Sequence, residues 1–504
     1  MHRNVLEWLE EAEQKYPNKL AFGDEQKDID FSTLKKSAMA IGSFLVDKIQ
    51  IGEPVAFYLD KSVNAICGMF GAVYAGGFYT TLDVKQPASR TRSILGILEP
   101  RVILTDMASR EKAEQFVDEA EVVCIEDIMD GAIDEVRLSE VRNQMVDIQP
   151  LYVNFTSGST GTPKGVTVSH RSVLEFIQIF VETFQITEDE IIGNQAPFDF
   201  DVSVKDIYSG LATGAKVQII PKKYFSMPTQ LMDYLAEKKV TTLIWAVSAM
   251  CFVSVMNGLE YRVPEKVKKI MFSGEVLPIK HLKKWKKFLP NATYVNLYGP
   301  TEITCNCTYY VLEQEYEETE TIPIGKAFPN EKVFLLDEEN KLVTETGAQG
   351  EICVSGTSLA LGYYKDAERT NQAFVQNPLN NAYHELIYRT GDIGKYDLEG
   401  NLVYVSRKDF QIKHMGHRIE LGEIETLTMA CAQITRACCI YEKEKQRLLL
   451  FYTGDREKKD LMKELRSVLP PFMLPNSLIQ LDEMPMNKNG KIDRNKLLSD
   501  FLGD

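Results

Sequence analysis

The chain has 504 residues, 44% hydrophobic and 26% charged, an ordinary balance for a folded soluble protein and enough length for two or more cores. Its 57 basic and 72 acidic residues leave a net charge of −15. That excludes nucleic acid as the main partner, which wants a basic footprint, but not nucleotides, which need only a local cradle.

Met1 to Glu11 reads as an amphipathic helix, with acidic residues too early for a signal peptide. No apolar run is long enough to enter a bilayer, so no membrane insertion is expected. The nine cysteines lack zinc-type spacing and are expected to be reduced, mostly buried residues of a cytoplasmic protein. Through residue 150, helix-like and strand-like segments alternate. Leu34–Ile49 and Ala65–Ala75 are predicted helices. Pro54–Tyr58, Arg101–Thr105 and Glu121–Ile125 are predicted strands. The rhythm predicts α/β layers with a largely parallel sheet. It continues through strands at Val217–Pro221 and Thr242–Ala246. A helix over Lys280–Phe288 follows, with Leu282 and Trp285 on one face and a lysine-rich opposite face suited to solvent or to an acidic partner. Residues 320–405 are richer in strands: Val333–Leu336, Gly350–Val354 and Leu402–Val405. A break at Ser406–Asp409 precedes a compact α+β piece of about a hundred residues.

Between two strand-like runs, Leu151–Val153 and Val166–Val168, stands Asn154-Phe155-Thr156-Ser157-Gly158-Ser159-Thr160-Gly161-Thr162-Pro163-Lys164-Gly165. Glycines let backbone N–H groups approach a ligand, hydroxyls donate further bonds, and Lys164 adds a point charge suited to phosphate. The stretch is an anion cradle or, less economically, a flexible linker. It is not a Walker A loop: Pro163 stands where that motif needs glycine, and Gly165 follows Lys164. Ser169 is placed to cap a helix starting near Arg171. Asn296-Leu297-Tyr298-Gly299-Pro300-Thr301-Glu302 offers a flat ring for a base and a carboxylate for a hard cation such as Mg²⁺. In Tyr388-Arg389-Thr390-Gly391-Asp392 the aspartate is suited to ribose hydroxyls, or is a surface Asx turn.

Together with Arg407-Lys408-Asp409, Gly416–Glu425 and Asn489-Gly490-Lys491, these stretches resemble, in order, the signatures of the adenylate-forming (AMP-binding) superfamily. The resemblance covers about residues 10–495. It implies a large N-terminal domain (1–405) of layered α/β subdomains with a strand-rich part, and a small mobile α+β lid (406–504) carrying Lys491. It implies ATP and Mg²⁺ as cofactors. Asn296 and Tyr298 would hold adenine, and Asp392 and Arg407 ribose. Thr156, Ser157, Gly158, Ser159, Thr160, Gly161 and Lys164 would hold the β- and γ-phosphates. Thr301 would reach the α-phosphate, Glu302 the metal, and Lys491 both the carboxylate and the α-phosphate. Lys408 and Asp409 would be the hinge.

Phe198-Asp199-Phe200-Asp201 resembles the segment that gives an aspartate to the α-ammonium in amino-acid-activating members. Asp201 is that aspartate, or else a helix cap. The remaining pocket, carried over singly, is Val202, Lys205, Trp245, Met271, Ser273, Gly274, Leu297, Cys305 and Asn306, with Trp245, Met271 and Leu297 supplying bulk. Asn194–Phe198 and Gly274–Pro278 most resemble the D-alanine–carrier protein ligases, a lipoteichoic-acid pathway family. Those carry methionine at the position of Lys205 and cysteine at that of Ser273. The expected activity is D-alanine activation as aminoacyl-AMP, then transfer to the phosphopantetheine thiol of a separate carrier protein, by a monomer. The alternatives are another small amino acid such as serine, or an acyl-CoA synthetase.

Overall fold

The computed structural model describes residues 2–116, 119–158, 162–318, 320–408, 411–443, 445–486 and 492–502. They fall into two compact units, residues 1–84, 98–154 and 165–408 in one, and 85–97, 155–164 and 409–504 in the other.

The larger unit is built on three sheets. Among the described residues, a nine-stranded sheet runs in the order Lys326–Ala327, Thr308–Val311, Thr293–Tyr298, Lys269–Ser273, Thr242–Ala246, Ile191–Asn194, Lys216–Ile219, Leu20–Gly23, Asp28–Asp30. Its six middle strands pair in parallel and its edges antiparallel. A seven-stranded sheet carries Pro54–Tyr58 between Phe78–Leu82 and Val102–Thr105, with Pro150–Thr156 and Lys164–Ser169 toward one edge. The third sheet is antiparallel. It pairs Glu331–Leu336, Gln349–Gly356, Leu386–Tyr396 and Leu402–Arg407 in succession.

The central strands of the parallel parts are buried along their length. Pro54–Tyr58 and Thr242–Ala246 show no exposed position, as expected when helices cover both faces. The helices begin where the sequence supplies caps. Asp30 accepts from Thr33 N at the start of Phe31–Leu45, Ser62 from Ala65 N before Val63–Tyr74, and Ser169 from Ser172 N before His170–Thr183. Helix Ile279–Phe288 buries Leu282 and Trp285 as predicted. Its Lys284 and Lys286 pair with Glu260 (2.9 Å) and Glu315 (3.4 Å), which fits the solvated reading of its basic face.

In the smaller unit, Ile434–Glu442, Arg447–Gly454 and Ser477–Gln480 form a three-stranded sheet. Helices Leu421–Met429 and Lys458–Val468 bury Ile424, Leu461 and Leu465 in the core that this sheet shares. No helix of the described residues is long and apolar enough to cross a membrane.

Candidate functional site

The motif Asn296–Glu302 ends one strand and enters a 3₁₀ turn, Thr301–Ile303. The chain then doubles back so closely that a Cβ on Gly299 would lie 2.5 Å from Asn306 Cα and 2.7 Å from Cys305 O. Only glycine fits there. Thr304 and Cys305 take left-handed backbone (φ 52° and 80°), and Cys307 N returns to Tyr298 O at 2.8 Å. This fold-back brings Tyr298, Thr301, Glu302, Cys305 and Asn306 onto one short stretch.

Tyr298 donates its hydroxyl to Asp392 Oδ2 (2.6 Å), and Arg407 Nη1 donates to Asp392 Oδ1 (2.7 Å). Burial and the adjacent Asp392 carboxylate push the Tyr298 phenol well up, so it remains a donor. Three residues from three strands thus form one fixed polar chain. Asp392 lies within the strand Leu386–Tyr396 rather than in a surface turn. Gly391 has φ 73°, and the pairing slips between Ile393 and Gly394. Asn296 Nδ2 donates to Pro323 O (2.8 Å). Glu302 is fully buried and accepts from Tyr363 OH (2.8 Å), a partner that no sequence motif signalled. Lys408, the first of the two residues expected to form the hinge, bonds Glu351 Oε2 (3.0 Å).

The amino-acid-side residues gather at the start of helix Val202–Thr213. Asp201 holds the position before it with helical backbone, and its carboxylate makes no capping bond. It is 7% exposed, and its carbonyl accepts from Cys305 Sγ (2.9 Å). Burial raises the Cys305 thiol well above its usual range, which keeps it a neutral donor. Lys205, one turn on, reaches Asn306 Oδ1 at 2.5 Å. Behind it, Asp206 accepts from Asn194 Nδ2 (2.7 Å), and Lys61 bonds Asn194 Oδ1 (3.0 Å). Burial brings Asp206 up to about 7 and Lys61 down to about 7. This buried network carries no sequence signature.

Strand register sorts the other expected lining residues. Ile244 pairs with Met271, Ala246 with Ser273, and Met271 with Val295, so these positions share one face of the sheet with Leu297. Val202 is buried at the helix start, and Gly274 follows Ser273 with φ 99°, a backbone that favours glycine. Trp245 is a correction. It pairs with Phe272 and faces the opposite way, into a separate core with Trp285 and Phe225. Its indole N–H is bonded to Gly193 O (2.9 Å). The inward neighbours on its strand are Ile244 and Ala246.

In the smaller unit, Ser157 Oγ donates to Arg418 O (2.7 Å), and Thr156 Oγ1 is buried with no protein partner among the described residues. An orphaned buried hydroxyl beside Gly158, with Lys164 also buried, fits a chain built to meet an oxygen-rich anion. Ser159, Thr160, Gly161, Asp409 and Lys491 lie outside the described residues. Among those described, no cluster of three or more His, Cys, Asp or Glu could hold a metal.

Residues 9–364 match the family model described as AMP-binding enzyme, and residues 423–491 that of the AMP-binding enzyme C-terminal domain. The chain is 31% identical over 506 residues to zwittermicin A synthase ZmaJ of Bacillus cereus, covering 98% of this chain and 94% of ZmaJ. It is 29% identical over 504 residues to tyrocidine synthase 1 of Brevibacillus parabrevis, covering 98% of this chain but only 45% of that protein. In the solved structures, holo-PA1221, an NRPS protein containing adenylation and PCP domains, superposes with a TM-score of 0.86 at 25% identity, over 99% of this chain and 84% of that one. The chain therefore belongs to the AMP-binding enzyme family, with nonribosomal-peptide adenylation domains among its homologues.

Proposed function

We infer that the chain activates an amino acid with ATP and passes it to a thiol on a separate carrier protein. The observation that carries the amino-acid part is Asp201, a buried carboxylate that does not cap the helix it precedes. A substrate α-ammonium would bring that carboxylate a matching charge and hydrogen-bond donors. An acyl-CoA synthetase for a non-amino acid has no use for that charge.

ATP would supply an electrophilic α-phosphorus and a pyrophosphate leaving group. The substrate carboxylate oxygen bonds to that phosphorus while the bond to the β-phosphate oxygen breaks. The thiol sulfur then attacks the acyl carbon, AMP leaves, and the thiol proton goes to solvent. Tyr298 and Asn296 would orient the base, and Asp392 the ribose. The Asp392 oxygens are already fixed by Tyr298 and Arg407, so little reorganisation is needed on binding. Glu302, a buried carboxylate oriented by Tyr363, would hold Mg²⁺ together with the substrate phosphates. Lys491 would offset the repulsion between carboxylate and phosphate. A hinge at Lys408–Asp409 would let the lid domain, 406–504, serve both steps. D-alanine, the substrate favoured by sequence resemblance, needs only a small space beyond Asp201.

The test is a two-stage reaction: single amino acids with Mg·ATP, then addition of a phosphopantetheinylated carrier, with the carrier followed by mass spectrometry. An aminoacyl mass on the carrier together with stoichiometric AMP is expected. Transfer to coenzyme A but not to carriers would point to an acyl-CoA synthetase instead.

A further inference from the structure

Lys61 follows strand Pro54–Tyr58 of the seven-stranded sheet and precedes helix Val63–Tyr74. It is half-buried. Its Nζ reaches the carbonyls of three successive residues, Asn194 (3.2 Å), Gln195 (2.7 Å) and Ala196 (3.4 Å), and also Asn194 Oδ1 (3.0 Å). These residues leave strand Ile191–Asn194, which belongs to the nine-stranded sheet. Carbonyl oxygens brought together repel one another, and a shared cation offsets that repulsion. Lys61 therefore sets the path of the chain as it leaves the other sheet.

The Asn194 amide extends the network. Its oxygen takes Lys61, so its NH₂ faces Asp206 and donates to Oδ2 at 2.7 Å. Asp206 is fully buried in helix Val202–Thr213, and its Oδ1 has no hydrogen-bond partner among the described residues. Lys61 and Asp206 thus act on each other across one amide, the cation supporting a carboxylate that burial disfavours. Asn194 and Asp206 close the base of the segment that carries Asp201. Gln195 Oε1, accepting from Ala246 N (3.2 Å), ties the same corner to the adjoining strand Thr242–Ala246.

We propose that Lys61 is a positioning residue for the ammonium site: by gathering the carbonyls of 194–196 and, through Asn194, Asp206, it fixes where the Asp201 carboxylate stands. The inference rests on the reading that Asp201 takes the substrate α-ammonium. Lys61 acts through the chain and not on the substrate. A lysine with only a packing role would bear on every substrate equally. A positioning lysine bears on the part of recognition that Asp201 supplies, and a misplacement of about 1 Å can cost about 100-fold.

The experiment is ATP–pyrophosphate exchange with the amino acid that wild type uses best and with its des-amino analogue, on wild type, Lys61→Met, Asp201→Asn and the double variant. The readout is the ratio of the two kcat/KM values, taken on one preparation so that the folded fraction cancels. In Lys61→Met the ratio falls about 10- to 100-fold while KM for ATP stays unchanged, and Lys61→Arg, which keeps donors and charge, restores most of it. In the Asp201→Asn background, Lys61→Met lowers the ratio no further, because the two residues act as one unit. An equal loss for amino acid and analogue overturns the proposal, and so does a fall that adds to that of Asp201→Asn. If Asp201→Asn itself leaves the ratio unchanged, the reading beneath fails and the proposal with it. Asn194→Ala, which cuts the side-chain links to both Lys61 and Asp206, is the second variant should Lys61→Met give no folded protein. It lowers the ratio about tenfold, and an unchanged ratio refutes the assignment.

Discussion

Asp201→Asn isolates the charge that the proposed function depends on, since it keeps shape and removes only the anion. The wild-type carboxylate is nearly buried, with the Cys305 thiol on its own carbonyl and Lys205 one turn away. Removing one partner of a buried ion pair costs about 3–5 kcal/mol, because the other charge is left in a dry site. At 1.4 kcal/mol per factor of ten, that is roughly a 10²- to 4 × 10³-fold loss in kcat/KM. The assay is pyrophosphate exchange with an amino acid and with its des-amino analogue. The amino acid should lose the full factor and the analogue less than about tenfold. Equal losses for the two, or none for the amino acid, would refute the assignment of Asp201 to the ammonium.

Tyr298→Phe removes the 2.6 Å bond to Asp392 and leaves that buried carboxylate with Arg407. Loss of a hydrogen bond to a charged group, about 1.5–3 kcal/mol, should raise KM for ATP roughly 10- to 100-fold with little change for the amino acid; steady-state kinetics at varied ATP check it. His170 is buried, and its pKa falls to about 3. A depressed pKa means that its stabilising share is full above the unfolded value of 6.5 and is lost as pH falls toward 3. At about 1.4 kcal/mol per pH unit, the stability gap between wild type and His170→Leu should move by about 3 kcal/mol against wild type from pH 7 to pH 4, read by urea melts. A gap that stays constant with pH would mean that His170 is not held neutral. Lys491→Ala should slow pyrophosphate exchange about 10²- to 10³-fold while sparing transfer from supplied aminoacyl-AMP; similar losses in both half-reactions would mean that Lys491 does not leave between them.

Much of the fold was legible because the sequence marks its own boundaries. Pro54–Tyr58 and Thr242–Ala246 were read to the residue. The helix expected over Leu34–Ile49 runs instead over Phe31–Leu45, since capping by Asp30 starts it three residues earlier and the chain turns after Leu45. The strand through Tyr388–Asp392 was hidden by its internal glycine, which reads as a turn but marks a left-handed residue within the strand. Trp245 was misplaced for a related reason. A strand covered on both faces is apolar throughout, so the sequence has no alternation to say which side chain faces the pocket. Lys61 and Asp206 were harder still. Charges on a helix or loop read as solvated, and only the packing shows Asp206 to be fully buried and Lys61 half-buried against it. The nucleotide motifs were legible because their residue types are set by ligand chemistry. The side-chain pocket was not, because its residues matter by where they point.

The central claim is that this chain makes an aminoacyl adenylate. It is tested most directly by labelled pyrophosphate exchange into ATP, with Mg²⁺ and a full set of D- and L-amino acids added singly. The account predicts exchange that depends on both the metal and one narrow group of amino acids, and that is abolished by omitting the amino acid. Exchange supported equally by des-amino acids, or none with any amino acid, would contradict it.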